Sequence, residues 1–157
     1  PEKKIEKLKN LFGSFDDVQS ISLSSLKSDL QKNNEEHLGV FRDEKLLNMG
    51  MTKLKELFGT FKNYKIKNRN LIWNEEFVAY FELENLFLNS LAANFSALNR
   101  RESRGAHYRS DFLNRDDENF HAHSLVKIER ELEFTLKSVR NFSEIPELNL
   151  KPQKRSY

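Results

Sequence analysis

What this chain lacks narrows its chemistry first. Cysteine is absent, which removes disulfides, thiolate metal ligands and cysteine nucleophiles together. Only five glycines and three prolines are spread over 157 residues, and long segments without such interruptions are what helices look like in a sequence. No apolar run approaches the roughly 20 residues that a membrane span requires. The opening Pro1-Glu2-Lys3-Lys4 carries no signal-peptide hydrophobic segment. A soluble chain with no direct membrane insertion is therefore expected. An excess of charge of one sign is missing too, since 26 lysines and arginines oppose 24 acids for a net of +2. A surface built for a polyanion would be one-signed, so no nucleic-acid partner is expected.

What is present is a chain with 38% hydrophobic residues, leaning on leucine and on 13 phenylalanines. Its length supports one domain with one core. A lean core carried by large side chains fits a helical domain that rests on another body. Residues 1 to 21 read as an amphipathic helix over Pro1 to Phe12, closed by Gly13, and a polar connector. From the N-cap candidate Ser22, Leu23, Leu26 and Leu30 recur at helical spacing towards Glu36, and Gly39 marks a stop, with His37 at the helix end. From Asp43, Leu47, Met51, Leu54, Phe58 and Phe61 form the clearest amphipathic stripe. Gly50 inside that helix predicts a close packing contact, because glycine there costs about 1 kcal/mol against alanine. A basic connector, Gly59 to Asn70, precedes a third helix from Asn74 to about Arg101, with Phe77, Phe81, Leu88, Leu91, Phe95 and Leu98 as its stripe.

Three helices joined by connectors predict an antiparallel, spectrin-repeat-like three-helix bundle over residues 22 to 103. Residues 104 to 157 form the rest of a single mainly α domain. Between 104 and 119 no periodicity predicts helix or strand. From Phe120 to Val139, Leu132, Phe134 and Leu136 alternate with polar residues, which predicts a small β-hairpin turning near Glu129 and Arg130. The tail from Asn141, with Pro146 and Pro152, reads as extended.

Catalytic and ligand-binding constellations are sparse. Gly13, Gly39, Gly50, Gly59 and Gly105 are isolated, whereas a dinucleotide or phosphate cradle needs several glycines in one strand-turn-helix. His121 and His123 would share one strand face, but no third ligand accompanies them, so two polar hairpin side chains are the simpler reading and no metal is expected. Ser103 with His107, or His107 with Asp111, would meet only in a continuing helix, which Gly105 disfavours, so no catalytic residue is assigned. What remains is the segment from Arg100 to Phe120, holding five arginines against five acids. Carboxylates would repel the phosphates of a nucleic acid. Two readings fit: Arg/carboxylate forks that hold an irregular segment against another protein surface, or a mixed-charge solvated loop.

Here the residues themselves carry a likeness. The run Arg101-Glu102-Ser103-Arg104-Gly105-Ala106-His107-Tyr108-Arg109-Ser110-Asp111-Phe112, then Arg115-Asp116-Asp117-Glu118-Asn119 and His123-Ser124-Leu125, closely resembles the C-terminal domain of succinate dehydrogenase and fumarate reductase flavoprotein subunits. Gly39-Val40-Phe41-Arg42-Asp43 looks like that family's connector between its first two helices, and Asn70, Trp73-Asn74 and Glu82-Leu83-Glu84-Asn85-Leu86 look like the opening of its third. Lys154-Arg155-Ser156-Tyr157 resembles its usual ending. Leu113 and Phe120 stand where the family commonly has proline and tryptophan.

The resemblance implies a three-helix bundle with an extended arm, preceded in the family by an FAD domain and a capping domain. There, hydride passes between flavin N5 and a dicarboxylate while a capping-domain arginine shuttles the proton. No position of this chain matches those groups, so no cofactor is expected within it, and FAD belongs to the full-length subunit. Implied partners are the chain's own FAD and capping domains and the iron-sulfur subunit, in a cytoplasmic assembly that reaches the membrane through the complex. The implied docking residues are Arg101, Glu102, Ser103, Arg104, Gly105, His107, Tyr108, Arg109, Asp111, Arg115, Asp116, Asp117 and His123. On that view Arg101, Arg104 and Arg109 anchor the loop to the flavin domain, and losing Arg104 would leave the bundle's own melting nearly unchanged. L-aspartate oxidase, whose C-terminal domain carries a related Arg-Glu-Ser-Arg-Gly run, and a free-standing helical interaction module are the alternatives.

Overall fold

The structure, a computed structural model, describes residues 11–12, 21–70, 72–129 and 131–139. Three long helices dominate it: α1 (Leu23–His37), α2 (Glu44–Lys62) and α3 (Glu75–Asn99). Each begins at a residue that can satisfy an orphan amide of the first turn. Ser22 Oγ accepts from the Ser25 amide at 3.0 Å, Asp43 Oδ1 from Leu46 at 2.7 Å and Asn74 Oδ1 from Phe77 at 2.9 Å. His37 lies in the last turn of α1, as its position in the sequence suggested.

The helices pack as an antiparallel bundle in which each touches the other two. Leu26 and Leu30 of α1 and Met51, Leu54 and Phe61 of α2 enter the core. Phe61 stacks on Tyr80 with ring centroids 4.6 Å apart and lies 5.3 Å from Phe87. At Gly50 all three helices crowd together. A Cβ there would stand 2.6 Å from His37 Cβ and 2.9 Å from Asn94 Nδ2.

Two expectations about the helices change. Gly59 lies inside α2 rather than in the connector, three residues before the helix ends at Lys62. On α3 the buried line is Tyr80, Leu83, Phe87, Ser90, Leu91, Asn94 and Ala97, and of the expected stripe only Leu91 is fully buried. The reason is that α3 is contacted on two sides, by α1 and α2 and by the hairpin. Phe77, Phe81 and Phe95 therefore pack half-buried against the core while a neighbouring line sinks beneath the helices.

The hairpin forms where alternation placed it. Strands β3 (Ala122–Ile128) and β4 (Leu132–Ser138) pair antiparallel from Ala122↔Ser138 to Ile128↔Leu132, with the turn between. Residues 104 to 119 are more ordered than their lack of period suggested. A two-residue strand, β2 (Tyr108–Arg109), pairs in parallel with β1 (Phe41–Arg42) in the α1–α2 connector, and a short helix, α4 (Asp117–Phe120), precedes β3. Both are too short for a periodic signal, and β1 pairs across more than sixty residues. Of the expected N-terminal helix only Leu11 and Phe12 are described, with the Ile66 amide donating to Leu11 O at 2.7 Å. The connector at 14–20 and the tail from residue 140 lie outside the described residues.

Candidate docking site

The β1–β2 pairing brings the α1–α2 connector and the segment after α3 to one end of the bundle. Charge there is organised around two buried groups, Glu102 and Arg109, both with no exposed surface. Glu102 Oε1 accepts from Arg100 Nε and Arg104 Nε, each at 2.8 Å, and Oε2 accepts from Arg104 Nη2 at 3.0 Å and the Asp116 amide at 2.8 Å. Burial pushes the Glu102 carboxyl upwards, but the bonds from Arg104, the Asp116 amide and Arg100 outweigh it and hold the group below its ordinary range.

Arg109 forks onto Asp111 with two bonds of 2.7 Å, and its Nη1 donates to Ala97 O at 2.7 Å and Leu98 O at 3.2 Å. Those carbonyls belong to the last turn of α3 and lack helical partners, so Arg109 closes the helix end that the chain has just left. The Arg109 bonds hold Asp111 down to about 2 against the opposing effect of burial, with help from the Glu44 amide, which donates to Asp111 at 2.9 Å. Asp111 thereby ties the segment after α3 to the start of α2. Arg100 reaches the other way, to Ala122 O at 3.0 Å, Ser124 Oγ at 2.9 Å and Phe120 O, fastening the hairpin to α3.

His107 joins three elements. Nε2 lies 3.0 Å from Arg100 O and Nδ1 lies 3.2 Å from Arg42 Nη1. Burial lowers its affinity for a proton, the bond to Arg100 O opposes this, and the guanidinium groups of Arg42, Arg109 and Arg100 lower it further. The ring is therefore neutral, with Nε2–H donating to the carbonyl and Nδ1 accepting from Arg42. Arg104 and His107 exchange backbone bonds of 2.8 and 3.0 Å around a tight turn, and Gly105 supplies its left-handed φ of +58°. Ser103 Oγ accepts from the Arg109 amide and donates to Phe112 O, each at 2.8 Å.

The sequence-predicted residues thus gather at this end, two of them outside its network. Arg101 is exposed and takes no part in the network. His123 lies exposed on β3 opposite Lys137, and His121 closes α4 before the strand begins, so the two histidines share no strand face. Asp117 binds Arg104 and Arg115, each at 2.7 Å, and Asp116 caps α4 through the Glu118 and Asn119 amides. Arg104 and Arg109, expected to anchor the loop to a flavin domain, both spend their guanidinium groups within the chain, Arg104 on Glu102 and Asp117 and Arg109 on Asp111 and the last turn of α3. Sequence reading missed Arg42 and Arg100, which hold His107 and the hairpin. Both lie inside stretches already singled out, Arg42 in Gly39 to Asp43 and Arg100 in the arginine-rich segment, so membership of those stretches was the available signal.

These groups offer no catalytic arrangement. The Ser103 hydroxyl serves backbone groups, both nitrogens of His107 are engaged, and Asp111 belongs to Arg109. Nor do the described residues fit a flavin: Gly50 and Gly59 lie within α2, Gly39 and Gly105 in separate connecting segments, and none opens a strand-turn-helix cradle. What the network does is brace an irregular segment into a fixed surface. That surface carries Val40 and Phe41, 68% and 73% exposed, and Leu113 outward, with Phe41 meeting Tyr108 edge-on at 5.5 Å. No helix among the described residues is long and apolar enough to cross a membrane.

Comparison with known proteins bears on this end of the bundle. A family model described as fumarate reductase flavoprotein C-term matches residues 27–157. The chain is 35% identical over 130 residues to the succinate dehydrogenase flavoprotein subunit of Rickettsia conorii, covering 80% of this chain and 22% of that protein. It is 40% identical over 105 residues to the 8-methylmenaquinol:fumarate reductase flavoprotein subunit of Wolinella succinogenes, covering 67% of this chain and 17% of that one. Its fold matches a chain of E. coli quinol fumarate reductase at a TM-score of 0.81 and 24% identity, over 95% of this chain and 26% of that one. The chain spans about a fifth of the length of the curated relatives it matches. With most of its length inside the family model, the arginine-carboxylate end included, the chain belongs to the C-terminal domain family of succinate dehydrogenase and fumarate reductase flavoproteins.

Proposed function

We propose that the chain serves as the docking domain of a flavoprotein oxidoreductase that interconverts succinate and fumarate by hydride transfer with FAD. The FAD, the substrate groups and the proton-transferring arginine belong to a flavin domain and a capping domain, and this chain holds itself against them and near the iron-sulfur subunit. The assembly is cytoplasmic and reaches the membrane through its other subunits. The observation that carries the reading is the family match across residues 27–157, which covers the whole braced end of the bundle.

Within that reading the proposed docking residues divide by task. Glu102, Ser103, Arg104, His107, Arg109, Asp111, Asp116 and Asp117 hold the surface in shape, while Arg101, Gly105, Tyr108 and Arg115, beside Val40 and Phe41, meet the partner. His123 extends the surface along the hairpin. We further propose that residues 22–103 and 104–157 act as one unit, supported by the packing of both hairpin strands on α3 and by the bonds of Arg100 across the junction.

The test is to express the natural reading frame in full beside the 157-residue chain. The full polypeptide should show flavin absorbance and reduce fumarate with a reduced dye, and the chain alone should be colourless and inactive. Stoichiometric FAD in the purified chain, or a full polypeptide without flavin, would overturn the reading.

A further inference from the structure

The opposite end of the bundle carries a feature that the arginine network does not explain. Between α2 and α3, Trp73 is 94% exposed and the neighbouring Ile72 76%. Trp73 is also the one non-glycine residue with positive φ among the described residues, at +56°, a conformation that the Cβ of a bulky side chain disfavours. The strain is not slack. On one side Glu76 gathers the amides of Lys67 and Asn68 and the Tyr64 hydroxyl, at 3.1, 2.8 and 2.7 Å. On the other, Asn74 Nδ2 donates to Asn68 O at 2.7 Å and Asn70 O at 2.8 Å. Two fixed anchors hold the backbone where it must turn through a disfavoured angle, and the product is an indole standing in water.

An exposed indole contributes nothing to the bundle that presents it, whereas a buried tryptophan is among the strongest anchors of a protein interface. The tip also has a sign: Lys62, Lys65, Lys67 and Arg69 precede it against Glu75 and Glu76 after it, an excess of two positive charges. A positive, apolar point fits an apolar pocket rimmed by carboxylates. Resting on the docking role above, we infer that Trp73, with Ile72, is the second anchor of the domain and inserts into such a pocket on the flavin-bearing body of the same flavoprotein. The 25 residues of α3 place it about 37 Å from the arginine end. Two contacts so far apart fix the bundle's orientation as well as its attachment.

Trp73 is the only tryptophan of the chain, which makes the test specific. The 157-residue chain labelled with 5-fluorotryptophan should give one fluorine resonance, strongly relaxed by a soluble gadolinium chelate. In the full-length flavoprotein the Trp73 resonance, identified by its loss in Trp73→Phe, should move, and the chelate's effect on it should fall several-fold. Trp73→Gly, which relieves the strained φ, should raise the thermal midpoint of the 157-residue chain while speeding proteolytic release of the helical domain from the full flavoprotein several-fold. If the resonance stays equally accessible in a flavoprotein whose helical domain resists protease, the anchor is overturned and the docking role stands. If the helical domain is as protease-sensitive as the chain alone, both are overturned. A shift that grows with concentration of the chain alone would assign the tip to a second copy and overturn the inference.

Discussion

Arg109 and Arg101 belong to one motif and have opposite fates. Arg109 is fully buried and joins the end of α3 to Asp111, so Arg109→Ala removes four hydrogen bonds and leaves two helix-end carbonyls without a donor. Breaking a buried charge pair costs about 3–5 kcal/mol, and because Asp111 is partly solvated the lower figure, about 3 kcal/mol, is expected from urea denaturation of the chain. Arg101→Ala should stay within about 0.5 kcal/mol, as exposed substitutions do. Equal losses for the two would refute the division of the motif into struts and contact residues.

The same network should give two separate acid transitions. The proton affinity of His107 is lowered by burial and by the surrounding Arg42, Arg109 and Arg100. The unfolded chain therefore binds more protons than the folded one just below the ordinary histidine value, and stability falls as pH drops through about 6.5. Asp111 is lowered to about 2. Its contribution is fully present above the ordinary aspartate value near 3.9 and is lost as pH falls towards the folded value. Thermal midpoints measured against pH should show both declines, with His107→Gln flattening the first and Asp111→Asn reducing the second. A profile level from neutrality down to the carboxylate range would show that His107 is not held neutral by its neighbours.

At the scale of elements, two glycines of one helix should respond oppositely to the same change. Glycine to alanine inside a helix gains about 0.5–1 kcal/mol by propensity. At Gly59 a new Cβ would meet nothing within 4 Å, so Gly59→Ala should stabilise by about that amount. At Gly50 the Cβ would collide with His37 Cβ and Asn94 Nδ2. Overpacking costs about 1–3 kcal/mol, which outweighs the propensity gain, so Gly50→Ala should lower the urea midpoint. If both changes stabilise, the three helices are not in close contact at that level.

Gly50 also shows what a sequence can reveal of such a bundle. An unbroken amphipathic stripe around a glycine signals a contact without naming the partner, and the N-caps Ser22, Asp43 and Asn74 are legible because capping chemistry is local. The buried line of α3 is not, because Ser90 and Asn94 face the core, where Asn34 Nδ2 donates to Ser90 Oγ at 2.7 Å. Polar residues on a helix read as its solvent side unless the other helices are known. The docking end divides in the same way. Its composition singles out residues 100 to 120, but the pairing of Phe41 with Tyr108 and the bond from Arg42 to His107 depend on the antiparallel return of α3. Such long-range contacts leave no local period.

For the molecule as a whole, the proposed docking role accounts for the apolar side chains exposed at both ends. Val40, Phe41 and Leu113 at one end and Ile72 and Trp73 at the other are exposed in a chain with a sparse apolar complement. Grouped exposed apolar side chains mark interaction surfaces more often than accidents of composition. Val40 and Leu113 suit a test because their substitution disturbs neither the arginine network nor the edge-on pair of Phe41 and Tyr108. The double change Val40→Lys and Leu113→Lys should leave the urea midpoint of the isolated chain within about 0.5 kcal/mol of the parent. It should also raise the chain's solubility, since two charges replace apolar surface. In the full-length flavoprotein the same change should loosen the docked domain, seen as faster proteolytic release of the bundle. A full-length protein whose bundle is released no faster, with the isolated chain's stability intact, would show that this end faces solvent and would leave the docking role to the rest of the surface.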